Sequence, residues 1–257
     1  MQISLWLGYR KSRSLDALTL QQIRSAKVRS PLFCNDKEMT HSSAFRAFES
    51  NRADVDRLLE LHGGISGKAP GRKYGVAVLN KSAVVLLCAA WEAYCEDLVS
   101  EVVEHFVNRA PEARVLPQVL RNRIATDLST DKMKMWTLAG DGWRAVLNKR
   151  LSDLKVERDR KLNTPKTNQI RDLFAEHVGY ADIDQSWFWR GFTAETAGDK
   201  LDKFVTLRGA IAHRVEADNA VHKSDVTSYT RFIGRLVSKT DKVITEHAHS
   251  VTGQPLT

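Results

Sequence analysis

An arginine and a histidine with four small or apolar residues between them stand out in the C-terminal half of the chain, in the segment Arg208-Gly209-Ala210-Ile211-Ala212-His213. A guanidinium group stays charged at every physiological pH and can hold a phosphate by two hydrogen bonds. An imidazole exchanges a proton near neutral pH. The pair therefore suits cleavage of a phosphate ester, with Arg208 neutralising charge on the phosphate and His213 acting as base or acid.

The geometry of a helix separates these two residues. They lie in a segment, Ala197 to Arg214, whose apolar pattern predicts a helix. Five residues at about 100° each place positions 208 and 213 about 140° apart around its axis. A two-fold dimer would bring two histidines to one cleft and so supply both a base and an acid. The alternative is a structural arginine and a histidine satisfied near a helix end.

The bulk composition is that of a globular protein. The chain has 257 residues, is 42% hydrophobic, and carries a formal net charge of +8. This excess of positive charge fits an anionic partner such as nucleic acid, although solubility alone would also explain it. The start of the chain lacks the features of a signal peptide, and no apolar run is long enough to span a bilayer. We therefore expect a cytoplasmic protein without membrane contact.

The periodicity of apolar residues predicts helices and no strands, so the fold class is all-α. A basic N-terminal arm (residues 1–40), one helical domain (41–250) and a C-terminal tail (251–257) are expected. The longest helix, about Tyr74 to Asn108, is nearly all apolar in its first half and is expected to be central and buried. The helix before it is expected to begin at Ser42 or Ser43 and to end at Gly63-Gly64.

Four segments of the chain form a recognisable pattern together. They are FVTLRGAIAH (Phe204–His213), AVVLLCAAWEAY (Ala83–Tyr94), LNTPKTNQIRDLF (Leu162–Phe174) and WFWRG (Trp187–Gly191). The first lies in the helix that carries Arg208 and His213, here called the motif helix, and resembles the Arg-x(4–6)-His signature of the HEPN superfamily. The four together resemble, more specifically, the RiboL-PSP-HEPN family. The other three are similar to that family's first core helix, its middle segment and its aromatic approach to the motif helix, respectively.

This resemblance implies a dimeric HEPN-type helical bundle with a long central helix and metal-independent endoribonuclease activity. It implies that the two motifs meet across the dimer cleft, with RNA as substrate, in toxin or anti-phage defence biology. An antitoxin or another defence component is then a candidate partner. The family commonly has a polar residue after the motif arginine, where this chain has Gly209. HEPN toxins that are AMPylated carry a tyrosine where this chain has Val215, so that control is not expected.

Other residues were weighed for roles beside the motif pair. Glu92 follows the apolar run of the central helix, where an unpaired carboxylate would be costly to bury. It is therefore expected to orient Arg208 or His213, or to pair with another basic residue. Trp187 and Trp189 suit either base stacking or core packing. A basic stretch offers candidate RNA contacts or is simply a solvated helix face. The residues singled out in it are Lys149, Arg150, Lys155, Arg158 and Lys161.

No metal or cofactor is expected, because His247-Ala248-His249 lacks a third ligand at suitable spacing and no phosphate-binding glycine motif is present. Cys88 and Cys95 share a helix face and are expected to be small core residues. Two other function classes remain open. One is a catalytically silent HEPN module that binds RNA, a nucleotide or a protein, which Gly209 favours. The other is a purely structural helical subunit.

Overall fold

The described part of the chain is helical. The computed structural model describes residues 41–66, 75–129, 138, 140–161, 164–214 and 221–256. In these ranges the only β-type pairing is an isolated bridge between Trp189 and Phe192, so the predicted all-α class is confirmed. The helices are α1 (Ser43–Ser66), α2 (Ala77–Arg109), α3 (Gln118–Ser129), α4 (Gly142–Lys161), α5 (Thr167–Val178), α6 (Ala194–Arg214) and α7 (Lys223–Thr252).

Helix α2 lies at the centre of the bundle, as its apolar sequence predicts. It packs against α1, α4, α5, α6 and α7, and its buried side chains recur from Asn80 to Val107. The helix ends before Pro111, and Ala110 is already extended. Arg144 of α4 donates hydrogen bonds to the carbonyls of Val107 and Ala110, which satisfies this end of the helix.

Helix α1 begins where the sequence predicts and ends later. Ser42 Oγ accepts a hydrogen bond from Phe45 N at 2.9 Å and donates one to the buried carboxylate of Asp241 on α7. The predicted end at Gly63-Gly64 is wrong, because the helix continues to Ser66. Each glycine costs a helix about 1 kcal/mol, which packing can offset. Here Lys223 of α7 donates to the carbonyl of Leu59 and ties the last turns of α1 to the bundle.

Helices α5 and α6 are joined at the N-terminus of α5. Asp202 of α6 accepts hydrogen bonds from the backbone N of Thr167 at 2.8 Å and from its hydroxyl at 2.9 Å. A carboxylate at this helix end satisfies an amide that has no partner within the helix and complements the helix dipole. Gly198 lies against the same threonine, where a Cβ would approach the threonine hydroxyl to 3.2 Å. This contact fixes the position of the motif helix beside α5.

The ends of the chain differ in what the structure describes. The predicted N-terminal arm (1–40) lies outside the described residues, so its boundary stays a prediction. At the other end α7 extends to Thr252, so it runs into the predicted C-terminal tail (251–257). Leu256 is 2% exposed, so its side chain packs onto the bundle, whereas residues 253–255 before it are exposed.

Candidate active site

Arg208 occupies a position that the helical pattern of α6 reserves for the core. It lies four residues after Phe204 and three before Ile211, both of which are buried. The Arg208 side chain is 22% exposed, so it faces the bundle and keeps a route to solvent. A charge in such a place requires a partner, because removing it from water is costly.

Glu92 of the central helix supplies that partner. Arg208 Nη2 lies 3.3 Å from Glu92 Oε2, and the Glu92 side chain is 20% exposed. Burial raises the pKa of Glu92, and the Arg208 guanidinium opposes that rise. The sequence left open whether Glu92 would face Arg208, His213 or another base. In the structure it contacts Arg208.

Cys88, one turn before Glu92, also borders the guanidinium. Burial raises the pKa of the Cys88 thiol to about 11, while its hydrogen bond with Arg208 acts in the opposite direction. The thiol is therefore protonated at neutral pH and is a poor nucleophile. Cys88 and Cys95 are both buried, as predicted.

His213 is the next-to-last residue of α6, and its side chain is outside the described part of the structure. The helix is continuous from position 208 to position 213. The offset of about 140° between the two positions therefore holds for the folded chain. Gly209 lies between them, and a Cβ added there would meet nothing within 4 Å. Packing does not require a glycine at this position.

Trp91, next to Glu92, joins the segments that surround the motif helix. Its indole N–H donates to the carbonyl of Pro165 at 3.2 Å, and its ring meets the ring of Trp187 edge to face at 6.1 Å. Pro165 and Trp187 belong to the middle segment and the aromatic segment, respectively. Together with the Arg208–Glu92 pair, these contacts bring the four segments singled out in the sequence to one place.

The aromatic segment divides between core and surface. Trp187 is fully buried and donates from its indole N–H to Thr240 Oγ1 at 2.9 Å, so core packing is its role. Trp189 is half-buried and packs against Phe192 and Phe232. Phe188 is 60% exposed. Tyr94 is buried on the central helix, and its hydroxyl donates to the carbonyl of Val237 on α7, so it is a core residue.

The basic stretch predicted to contact RNA lies on α4 and is described only in its first part. Lys149 is exposed, whereas Arg150 is half-buried with its Nη2 3.5 Å from His177 Nδ1 of α5. The side chains of Lys155, Arg158 and Lys161 lie outside the described part. RNA contact along this helix stays a prediction, and Arg150 is already engaged between two helices.

A cleft on the opposite half of the central helix has the wrong charge for a polyanion. It encloses about 690 Å³ between the start of α1 and the last turns of α2. Its lining includes the carboxylates of Asp97, Glu101 and Glu104. Glu101 also accepts hydrogen bonds from the first backbone amides of α1. Negative charge would repel RNA here, which leaves the Arg208 side of the bundle as the better candidate.

The family model of RiboL-PSP-HEPN matches residues 50–246, which contain every segment described above. The chain belongs to the RiboL-PSP-HEPN family. The resemblance drawn from the four sequence segments is thereby confirmed. No curated protein and no solved structure gives a match. HEPN domains include ribonucleases and nucleotide-binding modules, and family membership suggests these two classes of function for this chain.

Neither a metal-binding cluster nor a membrane-spanning helix occurs among the described residues. Within the described ranges, no group of three or more histidine, cysteine, aspartate or glutamate side chains is placed to bind a metal ion. Among the helices described here, none combines the length and the apolar character needed to cross a bilayer.

Sequence reasoning missed part of the surroundings of Arg208. Cys88 precedes Glu92 by four residues, a spacing that places both on one helix face and could have predicted their shared contact with Arg208. The clamp of Asp202 on Thr167 had no comparable signal, because 35 residues separate the two and only the packing of α5 on α6 brings them together.

Replacing Glu92 with glutamine is expected to flatten the pH dependence of stability. The raised pKa means that folded Glu92 keeps its proton at pH values where the unfolded chain has lost it. Its contribution is fully present below the usual pKa and is lost as the pH rises through the raised value. Denaturation midpoints of Glu92→Gln and wild type, measured between acid and neutral pH, test this. Glu104→Gln, an exposed site on the same helix, is the control. Parallel profiles for Glu92→Gln and wild type would contradict the prediction.

Proposed function

We propose that this HEPN protein is a metal-independent endoribonuclease whose centre contains Arg208 and His213. The observation that supports it best is the half-buried ion pair of Arg208 with Glu92 at the meeting point of the four family segments. An arginine held this way is pre-oriented and stays accessible. Its five N–H donors allow it to contact a carboxylate and a phosphate oxygen at the same time.

RNA brings its own nucleophile to such a site. In the proposed reaction the 2′-oxygen attacks the adjacent phosphorus, its proton passes to a base, and the bond from phosphorus to the 5′-oxygen breaks. An acid protonates the leaving 5′-oxygen, which gives a 2′,3′-cyclic phosphate and a 5′-hydroxyl end. We assign proton transfer to His213, and charge neutralisation on the pentacovalent phosphorus to Arg208. Glu92 is a positioning residue that acts through Arg208.

A homodimer is part of this proposal. One α6 helix carries one arginine and one histidine, and their positions are about 140° apart around the helix axis. The reaction needs both a base and an acid, whereas one helix supplies a single histidine. Two copies related by a two-fold axis would place two such pairs around one cleft. We further propose that the enzyme serves as a toxin or an anti-phage effector in the cytoplasm, where an antitoxin or defence partner would control it.

Cleavage of RNA in the presence of EDTA tests the proposed chemistry. We expect wild type to cut single-stranded RNA in EDTA and to leave cyclic phosphate and 5′-hydroxyl ends. We expect His213→Ala to lose at least about 100-fold in rate, because general acid–base catalysis contributes 10²–10⁴-fold. Analysis of product ends by mass spectrometry is the measurement. Loss of wild-type cleavage in EDTA, or undiminished cleavage by His213→Ala, would refute the mechanism.

A second candidate function is a silent HEPN module that binds RNA or a nucleotide without cutting it. Gly209 favours this alternative, because the family commonly has a polar residue there and the chain leaves the space beside it open. Under this alternative wild type binds RNA with a steep salt dependence and no product appears.

Introducing the polar group is expected to raise cleavage. Gly209→Asn fits without a clash, and we expect a several-fold gain in rate if the side chain helps to orient the site. Gly209→Ala is the matched control. It gains up to about 1 kcal/mol of helix stability but adds no hydrogen-bonding group. The comparison of the two rates, alongside their denaturation midpoints, separates an effect on the site from an effect on the helix. Equal rates would show that the missing polar group is irrelevant.

A further inference from the structure

A second pocket lies between α6, α7 and the segment that connects Trp189 to Phe192. It encloses about 300 Å³, which is at the lower end of the range of small-ligand sites. The rings of Trp189, Phe192 and Phe232 form its apolar wall. Cationic groups of Lys200, Arg231 and Arg235 line the rest.

Lys200 is held inside this pocket by aromatic rings. Its ammonium lies 4.9 Å from the ring centre of Phe232 and 5.2 Å from that of Phe192, and it donates to Ser228 Oγ at 3.4 Å. Ring faces attract a cation but do not neutralise it. Burial lowers the pKa of Lys200. The cation is thus partly withdrawn from water and set in a fixed position.

The two arginines extend the same positive surface along α7. Arg231 and Arg235 are four residues apart, so they lie on one helix face, and both are exposed. Like charges at this spacing repel and destabilise a helix unless an anion lies between them. Over the ranges that the structure describes, no carboxylate lies within ion-pair distance of Lys200, Arg231 or Arg235. Among the described residues, three cations therefore surround an aromatic cavity without a counter-charge.

We infer that this pocket binds one nucleotide unit of a single-stranded RNA, with the base against Trp189 and Phe192 and the flanking phosphates on Lys200, Arg231 and Arg235. Aromatic faces with adjacent cations match the chemistry of a single strand, whose bases expose flat rings and whose backbone is anionic. An acidic protein would match the cations but would leave the ring-lined cavity unexplained.

The pocket is close to the candidate active site along the same helix. Lys200 precedes Arg208 by eight residues, which corresponds to about 12 Å along α6 and a rotation of about 80°. A short strand can therefore reach both places. This inference rests on the proposed function for its substrate, and it deepens that function by adding a binding site outside the reacting phosphate.

Binding of an RNA that cannot be cleaved tests the pocket separately from catalysis. The probe is a fluorescent, fully 2′-O-methylated oligonucleotide, which lacks the 2′-hydroxyl nucleophile, and the host protein is Arg208→Ala. We expect Arg231→Gln with Arg235→Gln to reduce the slope of log Kd against log salt by about 1.4, since each phosphate contact on a single strand contributes about 0.7. Adding Trp189→Ala should weaken binding about tenfold further through lost stacking.

The control variant is Arg121→Gln, an exposed site on α3 that lines neither pocket nor active site. It should leave the Kd and the salt slope as they are. Unchanged binding by the double arginine variant, with its fold verified by circular dichroism, would overturn the inference. The inference would also be overturned if polyglutamate displaced the probe as well as unlabelled oligonucleotide does, because that would indicate an acidic protein partner. If a nucleoside monophosphate displaced the probe as well as the oligonucleotide does, the ligand would be a free nucleotide and not an RNA strand, which would overturn the inference. Because the probe is not cut, failure of the nuclease proposal leaves this result unaffected.

Discussion

Arg208→Ala is expected to reduce RNA cleavage at least about 100-fold while the protein remains folded. Removing one preorganised group that stabilises transition-state charge typically costs 10²–10³ in rate. The fold should tolerate the change because Glu92, left without its partner, can hold a proton, as its raised pKa already indicates. Initial rates on a defined oligoribonucleotide and a thermal unfolding curve are the two measurements. Cleavage near the wild-type rate would remove Arg208 from the mechanism.

Arg208→Lys distinguishes charge from shape at this position. Lysine keeps the positive charge but lacks the planar fork that binds two phosphate oxygens together. We expect it to recover only a small part of the lost rate. Full recovery would show that any cation suffices there and that the orientation provided by Glu92 is unimportant.

Mixing two inactive variants tests the shared cleft. Arg208→Ala retains its histidine, and His213→Ala retains its arginine. A heterodimer of the two has one arginine and one histidine at the two-fold axis, so the mixture is expected to cleave faster than either variant alone. It should stay well below wild type, because the cleft then holds one of its two histidines. An inactive mixture, in which mass spectrometry nevertheless detects the heterodimer, would contradict a composite site.

Trp187→Ala is expected to cost about 3–5 kcal/mol of folding free energy, the range found when a large buried aromatic side chain is removed. The Trp187 ring is fully buried and packs on Trp91. Its loss would leave a cavity and deprive the buried Thr240 hydroxyl of a donor. Urea denaturation gives the free energy of unfolding directly.

The neighbouring residue provides the control for this substitution. Phe188 is 60% exposed, and its described ring contact is with Lys239 at 5.2 Å. Phe188→Ala should therefore cost less than about 1 kcal/mol. Similar losses of unfolding free energy in Trp187→Ala and Phe188→Ala would mean that the burial of Trp187 does not determine its contribution to stability.

Apolar periodicity was sufficient to predict much of the fold. The buried faces of α2 and α7 follow the 3.6-residue repeat, and Pro111 and Pro165 stand at breaks between helices that the sequence marks. Gly63 shows the limit of such signals. A glycine pair permits a helix to end but does not force it to, and the contact of Lys223 with the carbonyl of Leu59 belongs to the folded bundle alone.

The candidate site was predictable only in part, because contacts between segments far apart in the sequence exist only in the folded bundle. Arg208 and His213 carry a local spacing that the sequence displays directly. The partner of Arg208 is 116 residues away, and the choice of Glu92 depends on how α6 packs on α2. The pocket around Lys200 gathers side chains from α6, α7 and the Trp189–Phe192 turn, and no single segment of sequence contains its pattern.

The contacts around Trp91 also set an order in which function can arise during synthesis. The ring of Trp91 packs against the ring of Trp187, and the indole N–H of Trp187 donates to Thr240 Oγ1. The neighbouring Glu92 forms its ion pair with Arg208. A ribosome releases these partners well after Trp91 and Glu92, because chains emerge from their N-terminus. A chain whose synthesis has not reached α6 and α7 therefore lacks both the Arg208–Glu92 ion pair and the helix α7 that supports it. Under the proposed function, the nascent chain cannot cleave the RNA that encodes it until α6 and α7 have emerged from the ribosome.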